Sequence, residues 1–143
     1  MATLERAIEI ASAAHAGQVD KAGQPYILHP LRVMLRLSSD YERMAAVLHD
    51  VVEDTPVSLA QLSEAGFPAE VIAAVEALTK RRGETRLQVA ARAASNPIAR
   101  VVKLADNAEN MDLSRIANPT EKDFARIEEY AQVRALLLAS DSN

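Results

Sequence analysis

Apolar residues return every third or fourth position along most of this chain, and the strict alternation of a half-buried strand is nearly absent. That periodicity restricts the fold to helices packed on helices. Leu4, Ala7, Ile8, Ala11 and Ala14 form one stripe of a helix predicted over Leu4–Ala16, which Gly17 stops. Gln18 to Pro30, with one glycine and two prolines, reads as a loop. A short helix over Leu31–Leu37 and a longer one over Tyr41–Val52 follow, and Pro56 ends the latter by disfavouring helix at Thr55.

Ser58 caps a short helix to Glu64, closed by Gly66, and Pro68 opens another that runs to about Thr79. Lys80 to Glu84 is a basic loop, and Thr85–Ala94 is helical. Asn96 caps and Pro97 opens a helix through Asp106. The last helix spans Pro119 to about Ala139 and is expected to bury Phe124, Ile127, Tyr130 and Leu137, with Ser140 to Asn143 frayed. There is no internal repeat, low-complexity tract or linker. The expectation is an all-α bundle of one domain over residues 1–143, in which the outer helices only pack.

At 143 residues such a chain buries a core without staples. With 3% aromatic residues, that core must be aliphatic and rich in alanine. The absence of cysteine removes disulfides, thiolate catalysis and zinc–thiolate sites together. A net charge of −4 argues against generic nucleic-acid binding. No run approaches the roughly 18 apolar residues of a membrane span, and the charged start MATLERAIEI is unlike a signal peptide. A soluble cytoplasmic protein is expected.

Within this helical frame, His49-Asp50 in AAVLHDVVED carries the chemistry. His29 lies 20 residues upstream in YILHP, and Asp106 lies 56 residues downstream in VVKLADNAEN. Two imidazoles and two carboxylates from three segments suit an octahedral divalent-metal site. Glu53 and Asp54, one turn further on, are acids left over to act on a water. With His49 at zero on a continuous helix, Glu53 falls near about 40°, Asp50 near about 100° and Asp54 near about 140°. Met44, Ala45, Val47, Leu48, Val51 and Val52 take the opposite, apolar face. With Asp106 at zero, Asn110 lies near about 40°, Lys103 near about 60° and Asn107 near about 100°. Lys103 can meet a phosphate as a point charge, and the two amides can meet a base, ribose or phosphate.

Taken together, AHAGQVDKAGQPYILHP, AAVLHDVVEDT and VKLADNAENMDL resemble the HD-domain phosphohydrolases, and among them the RelA/SpoT-type hydrolase domain and its stand-alone relatives. The resemblance covers about residues 10–115, followed by a packing helix over about 119–139. It implies metal ligands at His29, His49, Asp50 and Asp106, a catalytic pair at Glu53 and Asp54, and a substrate-side amide at Asn110. It also implies one manganese ion per chain and a small nucleotide substrate, (p)ppGpp, that loses its 3′-pyrophosphate. Two positions depart from the pattern. Asp20-Lys21 stands where the family usually has two adjacent basic residues, and Asn107 stands where it has arginine.

Lys21 and Lys103 would then offset phosphate charge. Tyr26 either packs on a base or ribose or anchors the core before His29. His15 suits the C-terminal end of its helix, where histidine favours the dipole. Lys80, Arg81 and Arg82 form a solvated charge run or reach distal phosphates. Three functions remain open: a (p)ppGpp-type 3′-pyrophosphohydrolase, an HD phosphohydrolase on another nucleotide or small phosphoester, and a non-catalytic nucleotide sensor.

Overall fold

Nine α-helices make up the regular structure among the described residues, 2–114 and 116–141, of a computed structural model. They are α1 (Leu4–Ala14), α2 (Leu28–Leu35), α3 (Asp40–Leu48), α4 (Val51–Asp54), α5 (Leu59–Glu64), α6 (Ala69–Leu78), α7 (Arg86–Ala94), α8 (Pro97–Asn110) and α9 (Glu121–Asp141). Most helix starts follow from local chemistry. Thr3, Ser39, Ser58, Thr85 and Asn96 each accept a backbone N–H of the first turn. Ser58–Gln61 and Thr85–Gln88 are full capping boxes. Pro97 occupies the first turn of α8, where its missing N–H costs nothing.

The core is aliphatic and alanine-rich, as the composition requires. α3 packs against α1, α2, α6 and α8. Ala45, Val47 and Leu48 meet Ala7, Ala11, Val33, Val71, Val75 and Val102, all fully buried. Alanine at these contacts lets the helix axes approach closely. A smaller cluster of Ala90, Val133 and Leu137 joins α9 to α7, with Leu104 of α8 packed against it.

Four expectations need correction. α2 begins at Leu28, so the loop is shorter and His29 is helical; Pro30 is tolerated because it falls in the first turn. The predicted Tyr41–Val52 helix is broken. Asp50 takes φ −102° and ψ −3°, which ends α3 at Leu48 and starts the one-turn α4. On α9, Phe124 is 58% exposed, and Val133, unremarked in the sequence, is buried in its place beside Leu137. α9 itself does more than pack, because Arg126 and Tyr130 line a cleft shared with α8. The helix runs to Asp141, and the remainder of the expected frayed end, residues 142 and 143, lies outside the described residues. No helix among the described residues is long and apolar enough to cross a membrane.

Candidate metal centre and cleft

α2, α3 and α8 each deliver one side chain to a single buried point. His29, His49 and Asp106 are all buried, and each offers a ligand atom within 4.8 Å of the others. His29 Nε2 lies 2.7 Å from Asp106 Oδ1. His49 Nε2 lies 3.4 Å from the same oxygen and 3.1 Å from Asp50 Oδ2. The break at Asp50 makes the last contact possible. Adjacent residues on a continuous helix point about 100° apart and do not face each other. With α3 ended, the Asp50 carboxylate turns back to its neighbour.

The donor set fits a divalent cation. His49 Nδ1 bonds to the Ala46 carbonyl oxygen, so Nδ1 carries a proton and Nε2 points inward. That buried Nε2 makes no hydrogen bond of good direction, although two carboxylates surround it. Burial opposes charge on His49, but Asp50 and Asp106 outweigh it and hold the imidazole well above its usual range. A bound cation would replace that proton. Burial would likewise raise the Asp106 carboxyl, yet Lys103, then His49 and His29, hold it well below the carboxylate range. Asp50 is lowered against the same penalty, chiefly by His49. Both acids are therefore ionised and ready as ligands.

Neighbouring groups orient these side chains. Lys103 Nζ and Asn110 Nδ2 donate to Asp106, each at 3.3 Å, from one turn before and one turn after it. Burial works against the Lys103 ammonium, but Asp106 and Asp50 keep its pKa raised and its charge in place. Tyr26 donates its phenol to Asp50 Oδ2. Burial first, then Asp50, pushes that phenol far up, so it stays a donor. Its ring lies between His15 and His29, at centroid distances of 5.0 and 5.8 Å. Tyr26 thus packs beside His29, as an anchor there would, lines the cleft, and steadies a candidate ligand.

A cleft of about 500 Å³ opens over this point. Its size suits a nucleotide-sized ligand. Nine of the ten site residues expected from sequence line it: Lys21, Tyr26, His29, Asp50, Glu53, Asp54, Lys103, Asp106 and Asn110. His49 lines an adjoining hollow with Asp50, Glu53 and Lys103. Asp54 is held above its ordinary range by partial burial, then by Asp50 and Glu53. Asp50, Glu53 and Asp54 form a second acidic group beside the first.

Several cleft features were not foreseen. Arg86 of α7 and Arg126 and Tyr130 of α9 also line the cleft. The Arg86 guanidinium sits 5.0 Å over the Tyr130 ring and pairs with Glu129 at 3.1 Å. The available signal was the i, i+4 spacing of Arg126 and Tyr130, which places a cation and an aromatic on one face. Glu109, buried one turn after Asp106, takes Arg36 Nε at 2.9 Å and lies 3.4 Å from Arg32 Nε. It ties α8 to α2, the helices of Asp106 and His29.

Two polar groups at the cleft have partners within the chain. Asn107 donates to the Tyr130 carbonyl oxygen at 2.9 Å, so its amide secures α9. Asp20 Oδ1 accepts the N–H groups of Ala22 and Gln24, each at 2.9 Å. It shapes the loop that presents Lys21. His15, expected to suit the helix dipole, is buried, with Nδ1 2.8 Å from Gln18 Oε1. Gln18 in turn donates to the Asp54 backbone oxygen.

The HD domain family model matches residues 7–100, and the chain belongs to that family. A guanosine-3′,5′-bis(diphosphate) 3′-pyrophosphohydrolase from Haemophilus influenzae is 40% identical over 116 residues, covering 71% of this chain and 17% of the relative. A GTP pyrophosphokinase from Streptomyces coelicolor is 35% identical over 147 residues, covering 94% of this chain and 17% of the relative. The chain therefore spans less than a fifth of the length of these curated relatives. A solved structure described as a metazoan ortholog of SpoT that hydrolyzes ppGpp superposes with a TM-score of 0.79 at 24% identity. That match covers 96% of this chain and 86% of the other, and it shows the shared fold.

Proposed function

We propose that this chain is a metal-dependent (p)ppGpp 3′-pyrophosphohydrolase that releases pyrophosphate and GDP or GTP, with Mn²⁺ as its metal. One observation carries the reading. His29, His49 and Asp106 converge beneath a cleft, with Asp50 beside His49, and the acids Glu53 and Asp54 line the same cleft. The names of several relatives point the same way, although others are named for pyrophosphate transfer to GTP.

The four ligands would hold the cation, which supplies Lewis acidity toward a water and a phosphoryl oxygen. Glu53 takes a proton from the attacking water. The water oxygen bonds to the phosphorus on the ribose 3′-oxygen, the bond from that phosphorus to the 3′-oxygen breaks, and the 3′-oxygen gains a proton. Lys21, Lys103, Arg86 and Arg126 offset phosphate charge from four separate segments. Tyr26 and Asn110 keep Asp50 and Asp106 aimed at the base of the cleft.

A second reading, hydrolysis of another nucleotide or small phosphoester, keeps this chemistry and changes the ligand. Asp20 favours it, because a loop-forming acid stands where the resembling family has a base-binding cation. A substrate panel with Mn²⁺, Mg²⁺ and Zn²⁺ separates the two. Pyrophosphate and GDP from ppGpp support the first reading. Turnover only of substrates without a 3′-pyrophosphate supports the second.

A further inference from the structure

Glu53 sits on α4, a helix of one turn, and its side chain is exposed. A glutamate there has three free torsions, and ordering such a side chain costs conformational entropy. Among the described residues its carboxylate makes one hydrogen bond, in which the backbone N–H of Lys80 donates to Oε1 at 2.7 Å. The donor comes from 27 residues away, in the turn between α6 and α7.

That turn is itself held from α7. Arg92 donates through one guanidinium nitrogen to the carbonyl oxygens of Glu76 and Ala77, at 2.9 and 3.1 Å, and through the other to Thr79, at 3.0 Å. These are carbonyls of the last turn and C-cap of α6, where the intrahelical ladder runs out; the Glu76 oxygen also accepts the Thr79 N–H at 3.2 Å. The same guanidinium reaches Glu84 on the far side of the turn. Glu84 accepts the Arg81 N–H at 2.5 Å, and its own N–H returns to the Arg81 oxygen at 3.1 Å. Gly83, at φ +82°, supplies the left-handed step that closes the loop. A lysine at position 92 lacks the planar fork needed to span these acceptors.

We propose that Arg92, acting through the 79–84 turn, presents the Lys80 N–H to Glu53 and so fixes the direction of its carboxylate. Oε1 is pinned, and Oε2 is left to accept the proton from water. Arg92 and the Lys80 N–H are positioning groups and touch no reacting atom. The proposal rests on the reading of Glu53 as the acid that acts on the water. It assigns to the basic loop a backbone role that its charge run does not announce.

Lys80→Pro deletes this N–H. Thr79 is already extended, at φ −83° and ψ 120°, as the residue before a proline must be. Lys80→Ala removes the charged side chain and keeps the N–H. With ppGpp and Mn²⁺, kcat of Lys80→Pro is expected to fall on the order of 10-fold or more below that of Lys80→Ala. KM and metal content should agree between the two within about threefold, since neither depends on Glu53 direction. Arg92→Gln should lower kcat in the same pattern, with partial recovery in Arg92→Lys; it carries the test if the proline variant does not fold.

Coupling separates positioning from general damage. In a Glu53→Gln background, Lys80→Pro should cost less than about twofold, because its effect passes through Glu53. Equal kcat for Lys80→Pro and Lys80→Ala, with Glu53→Gln inactive, overturns the positioning role and leaves Glu53 in place. An undiminished Glu53→Gln overturns the role of Glu53 and the positioning proposal together.

Discussion

Asp106 and Arg126 line the same cleft, 20 residues apart in the chain, and are held in opposite ways. Asp106 is buried on α8, faces His29 and His49, and accepts from Lys103 and Asn110. Its helix packs into the main core through Ala99 and Val102. Arg126 is half-buried on α9, which reaches the body of the protein through a cluster whose buried members are Ala90, Val133 and Leu137. The base of the cleft is thus set in the main core, while its rim rests on a smaller apolar cluster. Chemistry that needs ligand atoms fixed to fractions of an ångström belongs at the base. Selection among phosphorylated ligands, which tolerates movement, can sit on the rim.

The largest expected effects come from the base. His49→Ala or Asp106→Ala should lose both the bound divalent ion, expected at about one per chain, and detectable turnover. Elemental analysis of protein purified without chelator checks this, and undiminished metal in either variant would break the contrast. A chelator should also lower Tm of the parent protein, because its ligands join α2, α3 and α8. Glu53→Gln should keep metal and fold while losing on the order of 10²- to 10⁴-fold in kcat, the usual contribution of a general base. Activity within threefold of the parent would remove Glu53 from the reaction.

Next in size is the ion cluster beneath the base. Glu109→Ala leaves Arg32 and Arg36 facing the space of a buried carboxylate. With Arg36 partly exposed, the expected loss is about 2 kcal/mol, or roughly 6–8 °C in Tm. Metal affinity should fall as well, because Glu109 joins the helices that bear His29 and Asp106. A melting curve and a metal titration on the same variant test this, and a change in Tm with unchanged affinity would confine Glu109 to folding.

The same contrast explains what could be read from the sequence. Helix-forming patterns, caps and the meeting of His29, His49 and Asp106 were legible, because each depends on local spacing or on residue types with few alternative uses. Asn96-Pro97 marks the start of α8, and His29, His49 and Asp106 do converge. The break at Asp50 was not legible, since the apolar stripe runs through it from Val47 to Val52 without interruption. Arg126 and Tyr130 were missed because α9 looks like any amphipathic helix until its docking angle is known. Asn107 and Lys103 share a helix face, yet one serves the Tyr130 carbonyl and the other Asp106. A helical wheel gives direction around an axis and says nothing of what stands opposite.

On the rim, Arg126→Ala should raise KM for ppGpp about tenfold, the size of one charge-assisted contact, with kcat and metal content within about twofold. Steady-state kinetics at two salt concentrations sharpen the point, because loss of a partly exposed cation should also reduce the salt dependence of kcat/KM. A fall in kcat without a change in KM would move Arg126 from the rim to the reaction.

The smallest effect is expected at Asp20, and it decides how the first loop works. Considered as a charge facing a base, Asp20 repels a guanine nucleotide, and Asp20→Arg should tighten binding. The structure instead gives Oδ1 to the N–H groups of Ala22 and Gln24, with the Asp20 N–H returned to the Gln24 oxygen at 2.8 Å. Asn at this position keeps an oxygen acceptor for both N–H groups and discards the charge. Asp20→Asn should therefore change KM by less than about threefold. Asp20→Ala, which leaves two backbone donors without their acceptor, should cost more through the displaced Lys21. Asp20→Arg loses the same acceptor and should resemble Asp20→Ala. A KM that falls for Asp20→Arg and also for Asp20→Asn would show that charge, and not loop shape, is what this position contributes.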